Sequence, residues 1–199
     1  IVPPIFFQFN NSLDFAFSKW DFPYSSVFSF IIAVLIFYFF EDKKSYKNIL
    51  VKIILPSTFI FCILFFFSLI VKVFSIIIPN SLDSKNIVVQ LPAKFLEWFY
   101  CILQFGCAAF YEETVYRFYL PESLNNWSDK RKHKKVFKIL SEIFVLLLFA
   151  SAHLYMGIFA FINACFAHVV LRLSFYKCKN IIPLTIAHFL YNIISLILL

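Results

Sequence analysis

The chain has 199 residues, of which 62% are hydrophobic and only 15% charged. Soluble domains run about 45–50% apolar and about 25% charged, so the composition excludes an ordinary soluble domain. It predicts an all-α fold: a polytopic integral membrane helix bundle forming one structural domain. The net charge of +7 sits in short stretches between apolar runs. That is the pattern of cytoplasmic loops in a lipid bilayer and not of a nucleic-acid surface, so no nucleic-acid partner is expected. The cysteines Cys62, Cys101, Cys107, Cys165 and Cys178 form no C-x-x-C pair and read as small apolar packing residues. The excess of Phe, Ile, Lys and Asn reads as genomic base bias and points to a bacterial cytoplasmic membrane. The sequence opens on Ile1 and its single methionine is Met156, so its start is expected upstream and no signal peptide is read.

Taken in order, residues 1–24 carry Pro3, Pro4, Asn10, Asn11, Asp14 and Asp21 among aromatics, which predicts an interfacial segment. Ser25–Phe40 is a first apolar run, short for the roughly 20 residues of a span. Lys43, Lys44, Lys47 and Lys52 mark a basic loop over Glu41–Lys52. Ile53–Ile78 is a long apolar run interrupted by Pro56 and Lys72, the lysine expected to snorkel to the interface. Pro79–Glu97 reads as a polar loop, and Trp98–Tyr111 as the next apolar run. Pro121–Lys138 reads as a cytoplasmic loop with the run Lys130-Arg131-Lys132-His133-Lys134-Lys135. Ile143–Leu171 is apolar but for two histidines and an Asn; Arg172, Lys177 and Lys179 read as another basic loop, and Ile181–Leu199 as the last span. If the three basic loops share the cytoplasmic face, residues 136–173 hold two short antiparallel segments turning near His153–Gly157. That gives about six membrane segments.

Three polar clusters stand out against this background. The first is Glu112-Glu113-Thr114-Val115-Tyr116-Arg117. A charge near the bilayer centre costs at least roughly 2.5–3.5 kcal/mol, so this cluster needs a reason. On a helix Glu113 and Arg117 are i,i+4 neighbours in the favourable acid-first order and neutralise each other. Glu112 projects about 100° away and is left as a candidate general base. The second cluster is Phe149-Ala-Ser-Ala-His153 and the third His188-Phe-Leu-Tyr-Asn192. His188 and Asn192 share one helix face and offer two donors to one oxygen, an oxyanion-hole arrangement; the alternative is a hydrogen bond that glues helices together. Glu112 lies about 21 Å past Trp98, His188 about 13 Å past Lys179, and His153 about 16 Å past Glu142 along their helices. The three are expected to meet in the inner half of the membrane, open to the cytoplasm.

The succession E-E-x-x-x-R, F-x-x-x-H and H-x-x-x-N on apolar segments resembles the CPBP family. These are the CAAX-protease and bacteriocin-processing intramembrane proteins, which include type II CAAX prenyl proteases and lysostaphin resistance protein A. The likeness runs through Glu112–Arg117, Phe149–His153 and Ile181–Asn192. It divides the chain into residues 1–94, N-terminal membrane segments of unmatched sequence, and 95–199, a CPBP-like catalytic core. Phe161–Leu173 departs from the family in having no glycine, which bears on helix packing there. The resemblance implies a glutamic-type endopeptidase cutting a membrane-attached protein or peptide. Glu112 and His153 would activate a water, His188 and Asn192 would hold the oxyanion, and Glu113 and Arg117 would support the site. No cofactor is expected, the alternative being zinc on Glu112, His153 and His188. His168 lies outside the motifs and is not expected to act. A non-enzymatic immunity or scaffold protein on the same bundle is the competing reading. A small transporter is disfavoured by the lack of an internal repeat.

Overall fold

A computed structural model describes residues 20–40, 50–78, 91–129 and 131–198. Among them the structure is all helical, as the composition predicts. Six helices of 17 to 23 residues form the bundle: α1 (Tyr24–Phe40), α2 (Leu55–Ile77), α3 (Phe95–Glu113), α5 (Lys134–Ser151), α6 (Ile158–Cys178) and α7 (Ile182–Leu198). A short α4 (Leu120–Ser128) lies between α3 and α5. Two stretches are long and apolar enough to cross a membrane alone, Val51–Ile77 and Ile158–Cys178. The outward faces are apolar too: Phe59, Phe66 and Ile76 on α2 and Phe28 on α1 stand exposed. A surface of that kind is stable against lipid and not against water. Most of the expected interfacial segment 1–24, of the basic loop 41–52 and of the polar loop Pro79–Glu97 lies outside the described residues.

Side-chain contacts fix the direction of each helix. Phe22 meets Tyr100, Phe30 meets Phe110 and Phe40 meets Tyr119, so α1 and the run containing α3 are parallel. Glu142 meets Arg172 and Phe149 meets His168, so α5 and α6 are antiparallel and turn at residues 152–157. Lys72 Nζ donates to the Leu198 carbonyl at 3.0 Å, which brings the ends of α2 and α7 together. The helix ends that flank the basic stretches therefore gather at one end of the bundle. The start of α1, the α5–α6 turn and the end of α7 gather at the other.

Two prolines shape the backbone. Each α-helical carbonyl accepts from the N–H four residues on, and proline has none and crowds that carbonyl. Pro56 follows a π-helical turn at Leu50–Ile54, and Pro121 follows another at Thr114–Tyr119. The wider π turn relieves the crowding. It also lets α3, the π turn and α4 continue as one helical run through Ser128, where the sequence reads as a loop from Pro121 onward. Small side chains let helices close on one another in membranes. On α3 these are Cys101, Cys107, Ala108 and Ala109, all buried. Gly157 takes φ 105°, the one described glycine with positive φ; this lets the chain leave the 3₁₀ turn Leu154–Met156 and enter α6 at once. At the start of α3, Glu97 accepts the Ala93 and Lys94 amides, so it caps the helix and is not loop.

The orientation can be tested with cysteines placed at each end of the bundle in a background lacking the natural ones. Leu91→Cys is expected to react with an impermeant thiol reagent added outside intact cells, and Lys132→Cys only after the membrane is opened. The reverse pattern would invert the topology read from the basic loops.

Candidate active site

The end of α3 carries Glu112 and Glu113, both buried, with the Glu113 carboxylate 0% exposed. Glu113 is bound from two sides. Arg117, one turn on and also fully buried, approaches its Oε2 with Nε at 3.5 Å. On the other side His188 Nδ1 lies 2.8 Å from its Oε1. A carboxylate only accepts, so His188 carries its proton on Nδ1. That turns His188 Nε2 toward Glu112, whose Oε2 stands 3.7 Å away. Glu112 Oε2 is buried and makes no hydrogen bond.

Arg117 is held further by two residues of other helices. Its Nη1 donates to His168 Nδ1 at 3.0 Å. Its guanidinium also lies over the Phe149 ring, 4.1 Å from the centroid, a contact that favours the cation. Phe149 in turn packs against His153 at 4.8 Å between ring centroids. The phenylalanine of F-x-x-x-H thus joins the arginine of the first cluster to the histidine of the second. His153 follows the end of α5, and its Nδ1 donates to the Phe149 carbonyl at 3.0 Å. In the neutral ring this leaves Nε2 as the acceptor nitrogen.

Glu112, His153, His188 and Asn192 all line one cavity of about 310 Å³. Glu113 and Arg117 do not line it; they stand behind His188 and Phe149. Much of the remaining wall is apolar, with Leu64, Phe105 and Leu171 among its side chains. Ala160, Ala164 and Ala167, one stripe of α6, also line it, so in the glycine-free stretch 161–173 alanines provide the room. The cavity runs from Glu112 and His188 along α7 to Ser195 and Leu196, and reaches Trp20, Tyr155 and Met156. It therefore extends toward the end away from the basic stretches, contrary to the expected opening on the cytoplasmic side. The reason lies at the opposite end, where α3 runs on into α4 and a polar cluster closes the bundle.

That cluster is absent from the sequence reading. Arg172, read there as loop, is buried in α6. It donates from Nε and Nη2 to the two oxygens of Glu142, at 3.0 and 2.7 Å. It also donates to Tyr176 Oη at 2.8 Å and lies 3.5 Å from Glu122. Its Nη1 donates to the Arg117 carbonyl at 2.5 Å. This carbonyl is the one whose α-helical donor would be the missing N–H of Pro121, so Arg172 supplies what the proline removes. The signal in the sequence was an arginine and a glutamate on facing apolar runs, together with a proline four residues after Arg117.

Among the described residues no three His, Cys, Asp or Glu side chains are grouped so as to hold a metal ion. Glu112 and His188 approach each other, but His153 does not complete a set with them.

The sequence of residues 94–194, just over half of the chain, matches the family described as Type II CAAX prenyl endopeptidase Rce1-like. The chain belongs to this family. It is a membrane protein of a protease family whose substrates are membrane-associated proteins. No curated protein and no solved structure matches it.

Removing Arg172 leaves Glu142 and the Arg117 carbonyl without their donor. Breaking one side of a buried pair costs about 3–5 kcal/mol. Arg172→Leu is therefore expected to lower the thermal unfolding temperature in detergent far more than Lys138→Leu, whose surface pair with Asp129 is worth at most about 1 kcal/mol.

Proposed function

We propose that the chain is a metal-free intramembrane endopeptidase of glutamic type. The observation that carries the reading is one cavity wall shared by Glu112, His153, His188 and Asn192, with a buried Glu112 oxygen that lacks a partner. A water between Glu112 and His153 Nε2 meets two acceptors and no competing donor from either. Glu112 takes a proton from it as the water oxygen bonds to the peptide carbonyl carbon. The carbonyl oxygen gains negative charge and accepts hydrogen bonds from Asn192 Nδ2 and from His188 Nε2 when that ring carries both protons. Glu113 holds the ring by Nδ1 and faces Nε2 toward the reacting atoms. As the C–N bond breaks, the proton on Glu112 passes to the leaving amine, leaving a carboxylic acid on one fragment and an amine on the other. A site of this kind gains from exclusion of bulk water, since fixed dipoles act more strongly there.

The substrate class proposed is a membrane-attached protein bearing a prenylated CAAX-type terminus, after the family description. The test uses purified protein in liposomes and a quenched-fluorescent prenylated CAAX-type peptide. Glu112→Gln is expected to lower kcat by about 10²–10⁴-fold, the range for a general base. Asn192→Ala is expected to lower it by about 10²–10³-fold with a smaller change in KM, as for one oxyanion donor. Variants that stay folded and cleave at the parent rate would end the proposed mechanism.

Metal removal gives a separate check. Because the carboxylate and imidazoles do not group as a ligand set, dialysis against a strong chelator should leave the rate unchanged. Loss of cleavage that returns on adding zinc would overturn the metal-free reading in favour of zinc on Glu112, His153 and His188.

A further inference from the structure

Beyond the four groups of the proposed chemistry, the cavity carries a second polar set. Asn163 on α6 donates from Nδ2 to Tyr191 Oη on α7 at 2.6 Å, and both side chains line the cavity. Ser195, one turn past Tyr191, lines it as well, and its Oγ is buried with no hydrogen-bond partner. Among the described residues Thr114 and Thr185 share this state, but several serines do not. Ser57, Ser68, Ser75, Ser141 and Ser151 all donate to a carbonyl of their own helix three or four residues back, the usual outlet for a serine within a helix. A buried hydroxyl left without a partner is destabilising, so a group that arrives in the cavity and bonds to it recovers that cost.

We infer that Asn163, Tyr191 and Ser195 form a subsite for the extended backbone of a peptide substrate, on the N-terminal side of the bond that is cut. The inference rests on the protease reading above. His188, Tyr191, Asn192, Ser195 and Leu196 lie on one face of α7 and all line the cavity. Ser195 stands two turns from His188, about 10 Å along the axis. An extended peptide advances about 3.3 Å per residue, so Ser195, about 7.5 Å along the axis from the midpoint of His188 and Asn192, faces a backbone group about two residues from the carbonyl held between them. Tyr191 lies between His188 and Asn192 along the helix and stands beside that carbonyl. The three side chains are neutral; Ser195 Oγ lacks a partner, and the Asn163–Tyr191 pair keeps further donor and acceptor capacity for an amide. Among the residues lining the cavity there is no Lys or Arg. A free chain-terminal carboxylate along this wall would meet no cation among the lining residues, the Lys72 ammonium beyond it being taken up by the Leu198 carbonyl at 3.0 Å. The wall therefore suits the continuing chain and not the released end.

The experiment uses the same liposome assay and a set of prenylated CAAX-type peptides, each N-methylated at one backbone amide before the cut. N-methylation removes a donor without changing the side chain. With the wild-type protein, methylation about two residues before the cut is expected to raise KM about five- to tenfold, the weight of one hydrogen bond, with kcat little changed. Ser195→Ala is expected to raise KM for the unmethylated peptide by the same factor, and to show no further loss with the methylated one. A purely structural Ser195 would instead lower the unfolding temperature and leave the two peptides distinguished as before. If Ser195→Ala does not fold, the wild-type peptide series decides alone: equal KM values along the series overturn the subsite. Cleavage that depends on Glu112 but ignores both methylation and Ser195→Ala overturns the subsite while the protease reading stands. A wild-type protein that cleaves none of the peptides removes both.

Discussion

The Glu113 carboxylate is the fixed point of this molecule. It is fully buried, with Arg117 on one side and His188 Nδ1 on the other. An ion taken out of water costs several kcal/mol even after relaxation, and an opposite charge offsets this only with good geometry and further hydrogen bonds. Glu113 gains its one close hydrogen bond from His188 Nδ1, which ties α3 to α7 directly. Arg117 extends the tie to α6 through His168 and to α5 through the Phe149 ring. Four helices are thus joined through one ion pair. The same bonds set the tautomer of His188 and its orientation toward Glu112. Stability and site geometry are therefore the same interaction seen from two sides.

A second constraint comes from the backbone. Pro121 deprives the Arg117 carbonyl of its α-helical donor, and in a membrane such a group must find another partner within the protein. Arg172 provides it and is itself held by Glu142. The π turn at Thr114–Tyr119 sits between these anchors, immediately after the two glutamates. π turns are often found at functional sites, and here the reason is mechanical. Arg117 lies within this turn, and Arg172 and Pro121 hold the turn in place from its far end. A chain of bonds leads from Glu142 at one end of the bundle to His188 at the cavity.

Much of this was legible in the sequence because charge in an apolar segment is rare and therefore informative. The helical class, the six long helices and the α5–α6 turn near His153 follow from hydropathy and from the spacing of basic residues. The pairing of Glu113 with Arg117 follows from i,i+4 spacing alone. What the sequence hid were relations between distant segments. Arg172 reads as the start of a basic loop because Lys177 and Lys179 follow it; only its position opposite Glu142 makes it a buried partner. His168 looks idle until Arg117 is seen to donate to it. The direction of the cavity was misjudged because helix counting gives depth but says nothing of which end is plugged. Glu142 and Arg172 close the end that the charge pattern had suggested was open.

The segments that match the family carry the polar groups of the candidate site, but they do not complete the cavity. Leu64 on α2 and Trp20 ahead of α1 complete its wall, and both belong to the half with no recognised motif. Trp20 packs edge-on against Phe105 of α3 at 6.1 Å between centroids. Leu64 belongs to the same buried cluster as Leu171, Leu184 and Ala187. Without these helices, the side of α7 that bears His188 and Asn192 would face lipid, where unpaired polar groups cost several kcal/mol each. The unmatched half therefore supplies the insulation that lets the polar groups exist at this depth. It needs only to be apolar and to fit, a requirement that many sequences meet. That is a physical reason for motifs to gather in residues 94–194 while the rest of the chain carries none.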